Sequence, residues 1–428
     1  MTGATAPGAP PSAGRVQGRH NGSPSPGPEA GPLNGVRVID ATTSFAGPSA
    51  GMYLADLGAD VIKVERPGGD DCRAWGPPFV GDVSPWFASA NRNKRSVVLD
   101  LRSPGGSLAL ARMLDSADVF LENLNPAKLE RLGLSPEVVR ARNPRLIYCA
   151  MSGFGLTGPD SGLPGYDLVA QARSGLMSVT GERGGAPQRV STALSDIVTG
   201  LSGGLAVCAA LVRQRATGIG EVIDVSLLDS DLALMAPRLA SFLAGEPEPA
   251  PSGGTDSVLA VYQPFPTADR PLVIAIGNDS LWRRFCRAIG LDDLADDERL
   301  ADNAGRRAHR PMLVDRISAR LSAESAEHWV ALFAEVGVPC SRVLTLGEVA
   351  QDPQVQARGS LLPVPSAPTE LFGVRSPFRL ASMPRARNEP VPELGEHTFE
   401  VLKELGFGDD EIQRLLDDAA AAEKAVRP

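Results

Sequence analysis

The chain has 428 residues, 43% of them hydrophobic and 22% charged, an ordinary globular make-up long enough for sizeable cores. Lys+Arg 42 against Asp+Glu 51 leaves a net charge of −9, which repels phosphate backbones and excludes nucleic acid as a general partner. Cys72, Cys149, Cys208, Cys286 and Cys340 are scattered without a CxxC pair, so no disulfide framework or zinc site is expected, and the compartment is read as reducing and cytoplasmic.

In chain order, residues 1–31 are a lead rich in Pro, Gly, Ala and Ser, with no apolar run of the kind a secretory signal carries. Such a composition has little to bury and predicts disorder. From Leu33 short β-branched runs alternate with helical ones. VRVID (Val36 to Asp40) predicts a strand, followed by the loop ATTSFAG and a helix whose first residue is Pro48 and whose stop is Gly58. DVIKVE (Asp60 to Glu65), RSVVLDL near Val97, DVFLEN near Val119 and PRLIYCAMS near Ile147 predict further strands, with a helix near Leu108. Strands alternating with helices argue for a parallel, Rossmann-like α/β sheet.

A helical stretch follows Asp167, then a long apolar helix from about Ser195 to Arg213, and a strand at Val222. The most apolar window, GGLAVCAALV from Gly203, is about half the ~20 residues that span a bilayer, so no membrane span is expected. FLAGEPEPAPSGGT, from Phe242 to Thr255, reads as a connection between domains. Two strands joined by a turn at Asp269 and helices to about Ala334 form a candidate second domain, and the tail to Leu416 is amphipathic.

The loop SFAGPSAG does not fit GxGxxG and no GxxxxGK[ST] run is present, so neither nicotinamide nor direct ATP use is supported. Basic residues fall where the strand-end loops could gather them: Lys63 and Arg66, Arg73, the run NRNKR, and Lys128 with Arg131. Arg grips phosphate by a bidentate fork and Lys by point charge, so such a set suits a ligand with several phosphates. The alternative is a solvated surface.

The four histidines (His20, His309, His328, His397) all avoid the stretch from Asp40 to Gly181, which removes most support for imidazole base catalysis. The stretch GPDSGLPGYDLVAQARSGLMSVTG places one carboxylate, Asp167, where a Gly/Pro/Ser loop meets a helix. It reads equally as a helix N-cap or as a catalyst. A capping box would want Glu or Gln three residues on, and that position is Ala170.

Several segments together resemble one family: GVRVIDATTSFAGPSAGMYLADLGADVIKVERPGGDDCR, NKRSVVLDLRSPGG, DVFLENLNPAKLERLGL, GYDLVAQARSGLMSVTG and LGEHTFEVLKELGF look like the class III CoA-transferases. The resemblance runs from about Leu33 to Leu416. It implies a large Rossmann-like domain built from both chain ends (32–228 and 336–428), a smaller α/β domain with its linkers at 229–335, and an interlocked homodimer. It also implies that Asp167 is the nucleophile, and that Arg66, Lys94, Asn123 and Arg131, with Ser44 and Lys128, contact coenzyme A. The expected substrates are an acyl-CoA thioester and a carboxylic acid, with no permanently bound cofactor and no metal.

A carboxylate is ionised at neutral pH without a base, which fits the missing histidines. It is a poor nucleophile, so the site must position it, exclude water and supply oxyanion donors. Gly253 and Gly254 in PSGGTD are candidates for such a lid or oxyanion contact. Phe45 stands where the formyl-CoA:oxalate enzymes carry glutamine, which argues against a formate/oxalate pair and favours a larger or more apolar acyl group. Two other readings share the fold: an α-methylacyl-CoA racemase, whose motif has His where Tyr166 stands here, and a non-catalytic CoA-binding homologue.

Overall fold

The computed structural model describes residues 31–365, 371–383 and 385–426; the lead expected to be disordered, apart from Gly31, lies outside the described residues. The elements of the first half are β1 (Arg37–Asp40), α1 (Ala46–Asp56), β2 (Asp60–Glu65), α2 (Pro85–Asn91), β3 (Arg95–Val98), α3 (Pro104–Ser116), β4 (Val119–Glu122), α4 (Pro126–Leu132), α5 (Pro136–Arg142) and β5 (Ile147–Ser152). They continue through α6 (Asp167–Arg173), α7 (Leu176–Val179), α8 (Leu194–Thr217), β6 (Val222–Ser226) and α9 (Leu227–Leu243). The first helix begins at Ala46, two residues before the expected Pro48. That proline lies within the first turn, where its missing N–H is not needed.

The six strands form one sheet in the order β3-β2-β1-β4-β5-β6, and every ladder is parallel. Successive side chains along a strand point to opposite faces. Val38, Val61, Leu121 and Cys149 therefore join Leu54, Val207 and Leu211 under α1 and α8, while Ile39, Ile62, Phe120 and Tyr148 join Leu110 and Met113 of α3 on the other face. Burial on both faces explains why the strands read as nearly continuous apolar runs. The strand order reverses between β1 and β4. Open α/β sheets bind ligands in the crevice beyond the carboxyl ends of such a pair.

The chain's end returns to this sheet. Ser96 N donates to His397 Nδ1 at 3.3 Å and Val98 N to Thr398 Oγ1 at 3.1 Å, while Arg95 pairs with Glu404 and Glu400 at 2.6 and 3.1 Å. Val401, Leu402, Phe407, Ile412 and Leu415 complete the α3-side core. Gly406, at φ 81°, breaks the tail into two helices, Thr398–Glu404 and Asp409–Val426.

α8 departs from expectation in length. Its 24 residues are long and apolar enough to cross a membrane, by length and composition only. It packs so closely on α1 that a Cβ at Gly200 would lie 2.9 Å from the Ala46 carbonyl oxygen. Its buried face includes Ser195, Thr199, Val207 and Leu211.

Beyond the Pro-rich segment, β7 (Tyr262–Phe265), β8 (Leu272–Ala275) and β9 (Cys340–Arg342) form an antiparallel sheet in the order β7-β8-β9. Phe265, Ile274, Trp282, Phe285, Ile317, Trp329 and Phe333 make a second, separate core against it. The expected boundary at 335 cuts β9 away from its partner β8. The strand is only Cys-Ser-Arg, too short to show an alternating pattern in the sequence.

Candidate active site

The carboxyl ends of β1 and β4 are tied across the crevice. Thr43 N donates to Asn123 Oδ1 at 3.0 Å, and Asn123 Nδ2 donates back to the Thr43 carbonyl at 2.9 Å. Ser44 follows at φ 70°, a left-handed conformation uncommon for a residue other than glycine, and its N–H donates to Asp70 Oδ1 at 3.1 Å. A cleft of about 260 Å³ opens here, lined among others by Ser44, Asn123, Met151, Tyr166, Asp196 and Thr199.

Under its floor lies a buried ionic network. Asp40 accepts from Lys94 Nζ at 2.8 Å and from Thr42 N at 3.0 Å; Lys63 Nζ donates to the Thr42 carbonyl at 2.9 Å and pairs with Asp70 at 2.8 Å. Burial alone would raise the pKa of Asp40, but Lys94 and Lys63 beside it hold it below the usual carboxylate range. Burial outweighs the attraction of Asp40 on Lys94 and brings its pKa down to about 8. Gly51 is obligatory here, since a Cβ would sit 2.6 Å from Asp40 Oδ2 and 3.1 Å from Lys94 Nζ.

Asp167 is delivered by a backbone crossing. A Cβ on Gly165 would lie 2.3 Å from Gly153 Cα, so two glycines press the incoming loop onto the end of β5. Tyr166, at φ −138° and ψ 161°, is the cap residue, and Asp167 is the first residue of α6. Its side chain does not cap its own helix. Oδ1 accepts from Ser195 N and Oδ2 from Gln171 Nε2, both at 2.8 Å, and Arg189 Nη2 stands 3.9 Å from Oδ2. Gln171 is itself fixed, its Oε1 accepting from Val190 N at 2.9 Å. Asp167 therefore follows the cleft-lining Tyr166 in the chain, held by two donors and with its side chain 13% exposed.

Two further carboxylates stand close. Asp231 accepts from Ser195 Oγ at 2.8 Å, and burial raises its pKa. Burial, reinforced by the charges of Asp167 and Asp231, raises Asp196 to about 7.

Of the expected coenzyme A contacts, Ser44 and Asn123 line the cleft. Arg66, Lys128 and Arg131 come together beside it: burial lowers the Lys128 pKa, and the charges of Arg66 and Arg131 lower it further. α4 carries Lys128 and Arg131, and Asn125, which caps its N-terminus, lines the same cleft. Arg66 is 59% exposed along its side chain, with Nε donating to Gly69 O at 3.0 Å and Nη2 paired with Asp71.

The geometry departs from expectation at Lys94. Its side chain is fully buried, and Nζ donates to Asp40, to Pro48 O at 2.8 Å and to Asn91 Oδ1 at 2.9 Å, so its three hydrogens are committed inside the network. Arg73 is similarly engaged by Glu65, at 2.7 and 2.8 Å. Gly253 differs from expectation as well. Its N–H donates to the Gly181 carbonyl at 3.0 Å, which leaves it no hydrogen for an oxyanion, and it lines a different cleft with Arg183 and Arg310. Gly254, at φ 83°, follows it on that segment.

Gln171, Ser195, Asp196 and Thr199 were missed by reading the sequence. Gln171 alone had a local signal, because it lies four residues from Asp167 on one helix face. No group of residues suited to hold a metal ion occurs among the described residues.

A doubly wound parallel sheet with a basic cluster beside its switch-point crevice defines a class of α/β proteins that bind their ligands at the carboxyl ends of the strands. Residues 33–398 match CoA-transferase family III, and the chain belongs to that family. It is 41% identical over 382 residues to the succinate–glutarate CoA-transferase of Agrobacterium fabrum, covering 87% of this chain and 96% of that one. It is 38% identical to the acetyl-CoA:oxalate CoA-transferase of Acetobacter aceti, covering 84% and 94%. The crystal structure of a CAIB/BAIF family protein from Brucella suis superposes with a TM-score of 0.77 at 37% identity, covering 88% of this chain and all of the other. The protein is thus a class III CoA-transferase, for which CoA thioesters are substrates.

Proposed function

We propose that the enzyme moves CoA from an acyl-CoA thioester to a carboxylic acid through covalent intermediates on Asp167, and that its acids are small dicarboxylates. The observation that carries the mechanism is the aim of Asp167: each oxygen accepts one strong hydrogen bond, which fixes the carboxylate and leaves lone pairs free.

Asp167 attacks the thioester carbonyl to give a mixed anhydride and CoA thiolate. The thiolate attacks the aspartyl carbonyl, forming an aspartyl-CoA thioester and releasing the first acid. A second acid runs the steps in reverse. Fixing both partners converts collision into an intramolecular event, which suits a weak nucleophile. Arg66, Lys128 and Arg131 hold the CoA phosphates, with Ser44 and Asn123 at the crevice floor; Lys94 acts through the network beneath them.

The dicarboxylate assignment rests on the succinate, glutarate and oxalate named for the relatives. It replaces the apolar acyl group suggested by Phe45, whose ring instead packs edge-on against Trp86 at 5.5 Å. An interlocked homodimer is part of the same reading. It is supported by apolar side chains left open on α8 and at the end of α9: Leu205 at 74%, Val212 at 71% and Leu243 at 81% exposure.

The test incubates the protein with acyl-CoA thioesters of mono- and dicarboxylic acids, traps with hydroxylamine, and maps the peptide containing Asp167. A hydroxamate at Asp167, absent from Asp167→Ala, is expected with a dicarboxylyl donor. No adduct with any donor, alongside α-deuterium uptake from heavy water, would move the assignment to a racemase.

A further inference from the structure

Asp196 and Thr199 lie one turn apart on α8, and both line the cleft that holds Ser44 and Asn123. Residues three apart on a helix present to one face. Ser195, immediately before Asp196, gives its N–H to the Asp167 carboxylate, so the same turn of α8 that aims the nucleophile presents Asp196 beside it. Thr199 carries the second, independent observation. It is fully buried, and its Oγ1 has no hydrogen-bond partner. A buried hydroxyl left unpaired at the edge of a cleft is costly unless a ligand completes it.

We propose that Asp196, in its acid form, and Thr199 are the two donors that stabilise the oxyanion formed when Asp167 attacks the thioester. This rests on the covalent mechanism above and assigns the oxyanion contact that the committed N–H of Gly253 does not supply. As the Asp167 oxygen bonds to the thioester carbon, the carbonyl π pair moves onto oxygen, where Asp196 Oδ–H and Thr199 Oγ–H donate to it. The pair then returns, the C–S bond breaks, and its electrons leave with CoA thiolate. Asp196 keeps its proton throughout, so no base or co-reactant is needed.

The surroundings keep that proton in place. Asp167 on α6 and Asp231 on α9 are the charges that act on Asp196, both negative, and burial acts in the same sense. Tyr166 of the cleft wall and Arg189, 3.9 Å from Asp167, are the other titratable or charged groups at hand. The α1 residues nearest this part of α8, Ala46 and Ser49 against Gly200, carry no charge. Above neutrality an ionised Asp196 would repel both the nucleophile and the oxyanion.

The experiment compares wild type with Asp196→Asn, Asp196→Ala and Thr199→Val, using kcat and KM for one acyl-CoA from pH 6 to 9. The ratio to wild type at each pH cancels titration of the substrate. Asp196→Asn keeps a donor that does not titrate, so it should match wild type at pH 6 and escape the fall of about tenfold per pH unit above ~7. Asp196→Ala should lose on the order of 10²–10³ in kcat at every pH with KM little changed, and Thr199→Val should lower kcat with melting unchanged.

An Asn variant that keeps the alkaline limb, or that falls as far as the Ala variant at pH 6, would overturn the inference. So would a Thr199→Val enzyme with wild-type kcat. The infrared carboxyl band lost in Asp196→Asn reads protonation without turnover. Its absence at pH 6 sinks the oxyanion role even in an active enzyme, whereas no transfer by wild type with the band intact sinks the covalent mechanism instead.

Discussion

Lys94→Met separates a ligand contact from a structural charge. Lys94 Nζ makes three bonds of 2.8–2.9 Å inside a fully buried network, with Asp40 as its anionic partner at 0% side-chain exposure. Methionine matches the length of the lysine stem but removes the charge and all three donors. Asp40 then keeps only Thr42 N at 3.0 Å and Thr42 Oγ1 at 2.5 Å as hydrogen-bond donors, and the more distant charge of Lys63. Stripping one partner from a buried pair leaves an uncompensated ion and costs about 3–5 kcal/mol. The expected result is a loss of that size in denaturant unfolding at pH 7, with KM for acyl-CoA on the surviving folded enzyme within about twofold of wild type. If stability instead stays within about 0.5 kcal/mol while KM for acyl-CoA rises tenfold or more, Lys94 is a phosphate contact and the reasoning from burial is wrong.

Two further outcomes follow from the same crevice. Glu122 is buried at the end of β4, accepting from Leu124 N at 2.8 Å and Tyr148 Oη at 3.2 Å, and burial raises its pKa from 4.5 to about 7. The folded state therefore holds the proton more tightly than the unfolded chain, so the stability Glu122 contributes is complete below pH ~4.5 and lost as pH rises through ~7. Glu122→Gln should be more stable than wild type at pH 8, by on the order of 3 kcal/mol, and nearly equal at pH 5; equal stability at both values would refute it. Gly165→Ala puts a Cβ 2.3 Å from Gly153 Cα, so the loop must move before Asp167 can be presented. A shift of about 1 Å at a reacting group can lower turnover roughly 10²-fold, and kcat should fall by that order if Asp167 is the proposed nucleophile; an alanine enzyme with normal kcat would remove the crossing as the device that positions Asp167.

The sheet was legible because burial on both faces writes itself into composition. VRVID, DVIKVE and DVFLEN read as strands since apolar and β-branched residues dominate between two helical layers, with the buried charges Asp40, Lys63, Glu65 and Glu122 at or near the carboxyl ends. The strand order was not legible, because parallel pairing depends on where each crossover helix lands. Nor was β9, whose three residues join a sheet only because β8 offers a free edge. α8 runs past the expected Arg213 because its last turn, QRAT, carries no apolar stripe, and it stops only at Gly218, while Ser195, Thr199, Ser202 and three glycines interrupt the apolar pattern within it. The residues that break the pattern are the ones with jobs: Gly200 admits α1, Ser195 holds Asp167, and Thr199 faces the cleft.

The same logic explains why Asp167 could be found and its role left open. A carboxylate at a loop–helix junction has two local readings, and local sequence weighs them evenly because capping asks only for an acceptor near the first turn. What the local sequence does not carry is tertiary: Ser195 N reaches Asp167 from 28 residues away and holds the carboxylate. Lys94 fails in the opposite direction. A lysine in NRNKR looks solvated because most are, and only the acids Asp40 and Asp70, brought in from two other segments, turn it inward. Charge in a sequence marks where ions are, whereas the fold decides which become buried counter-ions and which stay at the surface. In this crevice the division follows depth: Lys63 and Lys94 lie fully buried beneath the floor, whereas Arg66 pairs with Asp71 at the surface, with 59% of its side chain exposed.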